Sequence, residues 1–103
     1  VLDLPVPGAH AIIGDRAFGT TVEQVVRLGR AVAHGFMAGG VVPVIKHIPG
    51  HGRATKDSHL DLPVVDTARS ELSRTDFAPF KALADIPAAM SAHVVFSDVD
   101  PDH

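Results

Sequence analysis

Four short stretches of this sequence hold side chains that can do chemistry. The first is Asp57-Ser58-His59. In extended backbone, residues two apart point the same way, so the carboxylate can reach the imidazole. A carboxylate on one ring nitrogen fixes the tautomer and favours protonation at the other. Such a dyad can give up a proton and take it back. The competing reading is a loop Asx-turn beside an exposed His. The second stretch is Lys46-His47, which can donate hydrogen bonds to substrate hydroxyls. A strand-end Lys is costly to bury unless paired; otherwise its ammonium reaches solvent past the sheet edge. The third is Arg16, flanked by glycines in Ile13-Gly14-Asp15-Arg16-Ala17-Phe18-Gly19. It either reaches into a pocket or pairs with Asp15 on the surface, an interaction worth about 0–1 kcal/mol. The fourth is His51 in Pro49-Gly50-His51-Gly52, which raises the question of a metal. His47, His51, Asp57 and His59 are all residue types that bind zinc. Pro49 and Gly50 keep His47 and His51 off a common helical face, and there is no His-Glu-x-x-His. We therefore assign no metal and no cofactor. His10, His34 and His103 read as surface residues.

These side chains need a frame, and the apolar pattern supplies one. Val1-Leu2-Asp3-Leu4 reads as the end of a buried strand stopped by Pro5 and Pro7. Residues 5–20 read as a loop. A helix follows, with Thr21 and Gln24 at capping-box spacing (Thr20 and Glu23 offer the same one residue earlier). Val22, Val25, Val26, Val32, Phe36 and Met37 recur on one face, and Gly39-Gly40 ends the helix. Val41 to Ile45 is a second strand, with Pro43 awkward inside it. Lys46 and His47 then fall where that strand ends. Residues 48–66 form a loop long enough to be functional. A second helical region runs from Thr67 to about Ala84. Pro79 splits it and Asp76 is placed to cap the second piece. Pro87 to Val95 is a third strand.

Strand, helix, strand, helix, strand implies a parallel sheet with right-handed crossovers. Chemistry in such sheets sits at the C-terminal strand ends. Asp3, Lys46-His47 and His93 all fall at or near such ends. A complete (β/α)8 barrel needs roughly 250 residues, whereas this chain has 103. The fold class expected is α/β: a partial TIM-like (β/α)8 barrel of about three parallel strands and two crossover helical regions. Residues 1–103 are then an internal slice of one barrel domain, with unpaired edges.

Composition narrows the partners. With 46% hydrophobic and 20% charged residues the balance is globular. A formal net charge of -3 leaves no dominant basic face, so nucleic acid and anionic membrane are poor partners. No apolar run is long enough for a transmembrane helix, and no signal peptide opens the chain. Cysteine is absent, which removes disulfides, thiolate metal sites and a Cys nucleophile.

Lys46-His47-Ile48-Pro49-Gly50-His51-Gly52, followed by Asp57-Ser58-His59 and Leu62-Pro63, closely resembles the glycoside hydrolase family 3 β-N-acetylglucosaminidases of the bacterial peptidoglycan-recycling type. Gly14 to Gly19 and Met90-Ser91-Ala92-His93-Val94-Val95-Phe96 also resemble segments of that family, in the same order. The resemblance covers essentially the whole chain. It implies a cytoplasmic barrel enzyme that removes terminal N-acetylglucosamine from a saccharide with retention of configuration. His59 would be the general acid/base and Asp57 its partner; Arg16, Lys46 and His47 would bind the sugar. An imidazole thus takes a role that most glycosidases give to a carboxylate.

Two departures stand out. Ile48 replaces a common Phe. The nucleophilic Asp is expected well downstream, so the chain alone is expected to be inactive. Phe96-Ser97-Asp98 superficially resembles the nucleophile's setting, but it follows directly on the Met90–Phe96 segment, which belongs to an earlier strand. Asp98 is therefore rejected. Three alternatives remain. A phosphorylase of the same family is favoured by an acid/base that does not repel phosphate. A metal-dependent hydrolase would use His47, His51, Asp57 and His59. A non-catalytic barrel piece would associate through its edges.

Overall fold

The structure is a computed structural model that describes residues 1–9, 13–54 and 62–100. A 3-10 turn at Gly14–Arg16 precedes helix α1 (Val22–Ala38). Then come β1 (Val44–Ile48), β2 (Val64–Val65), α2 (Arg69–Arg74), α3 (Ala78–Ala82), β3 (Ala88–Ser91) and β4 (Val95–Phe96).

The α1 start is the one the sequence encodes. Thr21 Oγ1 accepts from the Gln24 amide at 3.2 Å, and Gln24 Oε1 accepts from the Thr20 amide at 3.3 Å. Its end explains where the next strand begins. Gly40 has φ +84°, its amide donates to the Met37 carbonyl, and the Val41 amide donates to the Phe36 carbonyl at 2.8 Å. This is a Schellman closure. It consumes the Val41 N–H, and Pro43 has none to offer a ladder. β1 therefore starts at Val44, not Val41, and Lys46 and His47 lie inside the strand rather than just past it.

The buried stripe of α1 also differs from the expected one. Val25, Gly29 and Ala33 are buried, whereas Val32, Phe36 and Met37 stay largely exposed. The helix packs through its small residues. A Cβ on Gly29 would stand 2.6 Å from a Leu2 methyl, so the larger side chains are displaced to the flank. Arg30 on α1 reaches across to Asp85 at 3.3 Å and to the Ala82 carbonyl.

β1 and β3 pair in parallel, with Val44, Ile45, Lys46 and Ile48 opposite Ala88, Ala89, Met90 and Ser91. Residues 1–4 carry no assigned strand, but the Leu2 amide donates to the Lys46 carbonyl at 2.8 Å. Three extended segments thus lie side by side, with β1 in the middle. Helix α1 links the first to β1, and α2 with α3 link β1 to β3. Leu2, Leu4, Val25, Ile45, Phe80, Leu83 and Ile86 form the core beneath them. β2 and β4 make a second parallel pair over Ala54, Leu72, Val94 and Phe96. Two-residue strands carry no periodic signal, which is why β2 reads as loop in the sequence. The predicted third strand is likewise divided: β3 ends at Ser91 and β4 starts at Val95.

The second helical region breaks before Pro79, which sits in the first turn of α3 as expected. Asp76 does not cap it; Phe77 is the N-cap and makes no side-chain bond. Asp76 is buried instead and pairs with Arg53. Several apolar side chains on or beside the strands stay exposed: Met90 on β3 is 51% exposed, and Val42, Val44 and Val64 are about as open or more so.

Candidate active site

Asp3 is an isolated acid in an apolar strand, and its carboxylate is fully buried. Three donors satisfy it. The His47 ring bonds Asp3 Oδ2 through Nδ1 at 2.8 Å. The His51 and His47 amides donate to Asp3 Oδ1 at 2.7 and 3.3 Å. Buried carboxylates are tolerated when hydrogen-bonded in this way. One side chain from the first extended segment thus fixes both the β1 imidazole and the loop that follows it. The His47 ring lies 5.9 Å from that of His51, tilted by 59°. The His47 side chain keeps 19% of its surface exposed, whereas that of Asp3 has none.

The loop leaving β1 is held between two walls. Cis bonds occur within β1 at Lys46-His47 and at its junction with the loop, Ile48-Pro49. Gly50, at φ +141°, runs so close to Asp76 that a Cβ would lie 3.1 Å from the Asp76 Cβ. Gly52 is tighter still: a Cβ there would lie 1.9 Å from the Leu4 carbonyl oxygen. The Val6 amide donates to the Gly52 carbonyl at 3.2 Å. Arg53 then bonds the buried Asp76 through Nε at 2.7 Å, and its Nη2 reaches Thr75 Oγ1 and Glu71. Ala54 is sealed in the second core. The chain is therefore anchored up to three residues before Asp57.

The sequence-predicted site residues fall out as follows. Lys46 and His47 lie on the middle strand near its C-terminal end, beside Asp3. Arg16 ends the exposed 3-10 turn, and its Nε donates to the Ile13 carbonyl at 3.3 Å. Asp57 and His59, the pair expected to act as acid/base, lie outside the described residues, as do His10 and His103. The metal alternative depends on that same pair. His34 and His93 are exposed. Asp98 Oδ2 accepts from the Arg69 amide at 2.7 Å and so holds the start of α2.

Sequence reasoning noted Asp3 at a strand end but gave it no role, and it gave Arg53 none either. The signal for Asp3 was present: a lone carboxylate between leucines in a buried strand must have partners. For Arg53 there was none, because its partner lies in another element.

A parallel sheet crossed by helices, with polar side chains gathered at the C-terminal end of its middle strand, defines part of a TIM-like barrel. The chain belongs to glycosyl hydrolase family 3: the model for the family's N-terminal domain matches residues 1–103. It is 46% identical to a β-hexosaminidase of Alkalilimnicola ehrlichii over 98% of the chain and 29% of that protein. The crystal structure of NagZ from Neisseria gonorrhoeae, in complex with N-trifluoroacetyl-D-glucosamine, superposes with a TM-score of 0.89 at 42% identity, over 96% of this chain and 30% of that one. A family 3 β-N-acetylglucosaminidase from a Paenibacillus strain gives 0.87 at 42% identity, over 98% of this chain and 20% of that one. The chain thus spans less than a third of the length of these relatives. No helix among the described residues is long and apolar enough to cross a membrane.

Proposed function

We propose that residues 1–103 are a slice of one catalytic barrel that removes terminal β-linked N-acetylglucosamine from peptidoglycan-derived or related saccharides in the cytoplasm. The observation that carries this reading is the clamped Asp3–His47 pair at the C-terminal end of β1, where a barrel enzyme places its substrate. The solved relative bound to an N-acylated glucosamine supports the choice of sugar.

In this reading Arg16, Lys46 and His47 bind the sugar and Asp57 orients His59. His59 gives its proton to the glycosidic oxygen as the C–O bond breaks, and a downstream carboxylate attacks the anomeric carbon. The neutral imidazole then takes a proton from water, and the resulting hydroxide-like oxygen displaces the carboxylate. Configuration is retained by the two inversions. The nucleophile is expected outside residues 1–103, so the slice alone is expected to be inactive.

The test is His59→Ala in the full-length enzyme, on glycosides of graded leaving-group ability. Turnover of alkyl and sugar glycosides should fall by about 10²–10⁴-fold. An aryl glycoside with an acidic phenol needs no proton and should lose far less in the glycosylation step. An equal loss on both classes would remove the acid role.

A further inference from the structure

The His47 ring, inside β1, is addressed by the buried Asp3 carboxylate. Asp3 is an acceptor only, because an ionised carboxylate has no proton to give. Its Oδ1 is engaged by two backbone amides, which donate and cannot accept. Oδ2 is left to the ring, 2.8 Å from Nδ1. The only hydrogen that can fill that contact is one carried on Nδ1. Nothing among the described residues bonds Nε2.

We propose that Asp3 is a positioning residue that holds the proton of His47 on Nδ1, so that Nε2 meets the substrate as the acceptor for a sugar hydroxyl. The inference rests on the reading of His47 as a sugar-binding residue. It changes the chemistry expected of the Lys46-His47 pair. Two donors would suit an oxyanion or any lone pair. An ammonium that only donates and an imidazole that accepts at Nε2 together suit a hydroxyl, which accepts from one and donates to the other. An ether or a carboxylate in the same place would leave Nε2 unsatisfied, a discrimination that polar sites make well.

The experiment is two-bond ¹H–¹⁵N correlation NMR of the full-length enzyme labelled at histidine, with His47→Ala used to assign the ring. At pH 8 the wild type should carry its proton on Nδ1 alone. A proton on Nε2, or on both nitrogens, overturns the proposal, and the wild-type spectrum decides this even where a variant fails to fold. Asp3→Asn provides the inversion. Its Oδ1 can still accept the two backbone amides, while its Nδ2 donates to the ring and forces the proton to Nε2. The affinity for N-acetylglucosamine should then fall by about 3- to 10-fold, the value of one hydrogen bond. In the His47→Ala background, Asp3→Asn should cost nothing further in affinity, whereas a purely structural role would give the same loss in both backgrounds. An inverted tautomer with unchanged affinity overturns the acceptor role. Unchanged affinity in His47→Ala alone would instead remove His47 from the sugar site, while the tautomer result would stand.

Discussion

The Arg53–Asp76 pair offers a quantitative test of how the loop before the dyad is held. The perturbation is Arg53→Met, which keeps the apolar stem and removes the charge. The bond lost to Glu71 is long, at 3.5 Å, and its carboxylate is half-exposed, so it contributes about 0–1 kcal/mol. The bond lost to Asp76 is different in kind. Its side chain is 1% exposed, the contact is 2.7 Å, and Oδ2 has no hydrogen-bond partner among the described residues. Among the described residues, Thr75 Oγ1, at 3.0 Å from Oδ1, is the one other donor. Removing one member of a buried pair strands the other charge and costs about 3–5 kcal/mol. Asp76→Asn should repair most of this in the double variant, because it removes the stranded charge. The coupling energy between the two sites should therefore be about 2–3 kcal/mol. Urea unfolding of the full-length enzyme and its three variants measures it. A cost below about 1 kcal/mol for Arg53→Met, with additive behaviour in the double variant, would refute the argument that this pair is energetically buried.

Two further outcomes follow from the geometry. Gly52→Ala must move the Leu4 backbone by about an ångström, from 1.9 Å to beyond the 3.0 Å floor of real Cβ contacts. It should destabilise by more than about 3 kcal/mol; a melting temperature within a few degrees of wild type would contradict the close approach. Asp98→Ala loses the acceptor for the Arg69 amide and should cost about 1 kcal/mol of stability, with kcat/KM on an aryl N-acetylglucosaminide unchanged. A loss of several orders of magnitude in that rate would return Asp98 to consideration as the nucleophile.

Much of this protein was legible in the sequence. The α1 cap and the Gly39-Gly40 stop depend on bonds between near neighbours, so residue type and spacing suffice to place them. The alternation of apolar strands with helical stripes determined the parallel α/β class for the same reason. The stretch from Lys46 to His59 is distinctive enough to identify the family by resemblance. Tertiary structure decided the rest. β1 began three residues late because a helix closure used the Val41 amide and Pro43 supplied none. The exposed flank of α1 followed from how closely Leu2 approaches Gly29. Asp76 turned from a predicted cap into the buried partner of Arg53, and Asp3 became the holder of His47. Each of these depends on contacts between segments far apart in the chain. Local propensity has no term for such contacts, because the energy of a buried charge is set by whichever donors the fold brings to it.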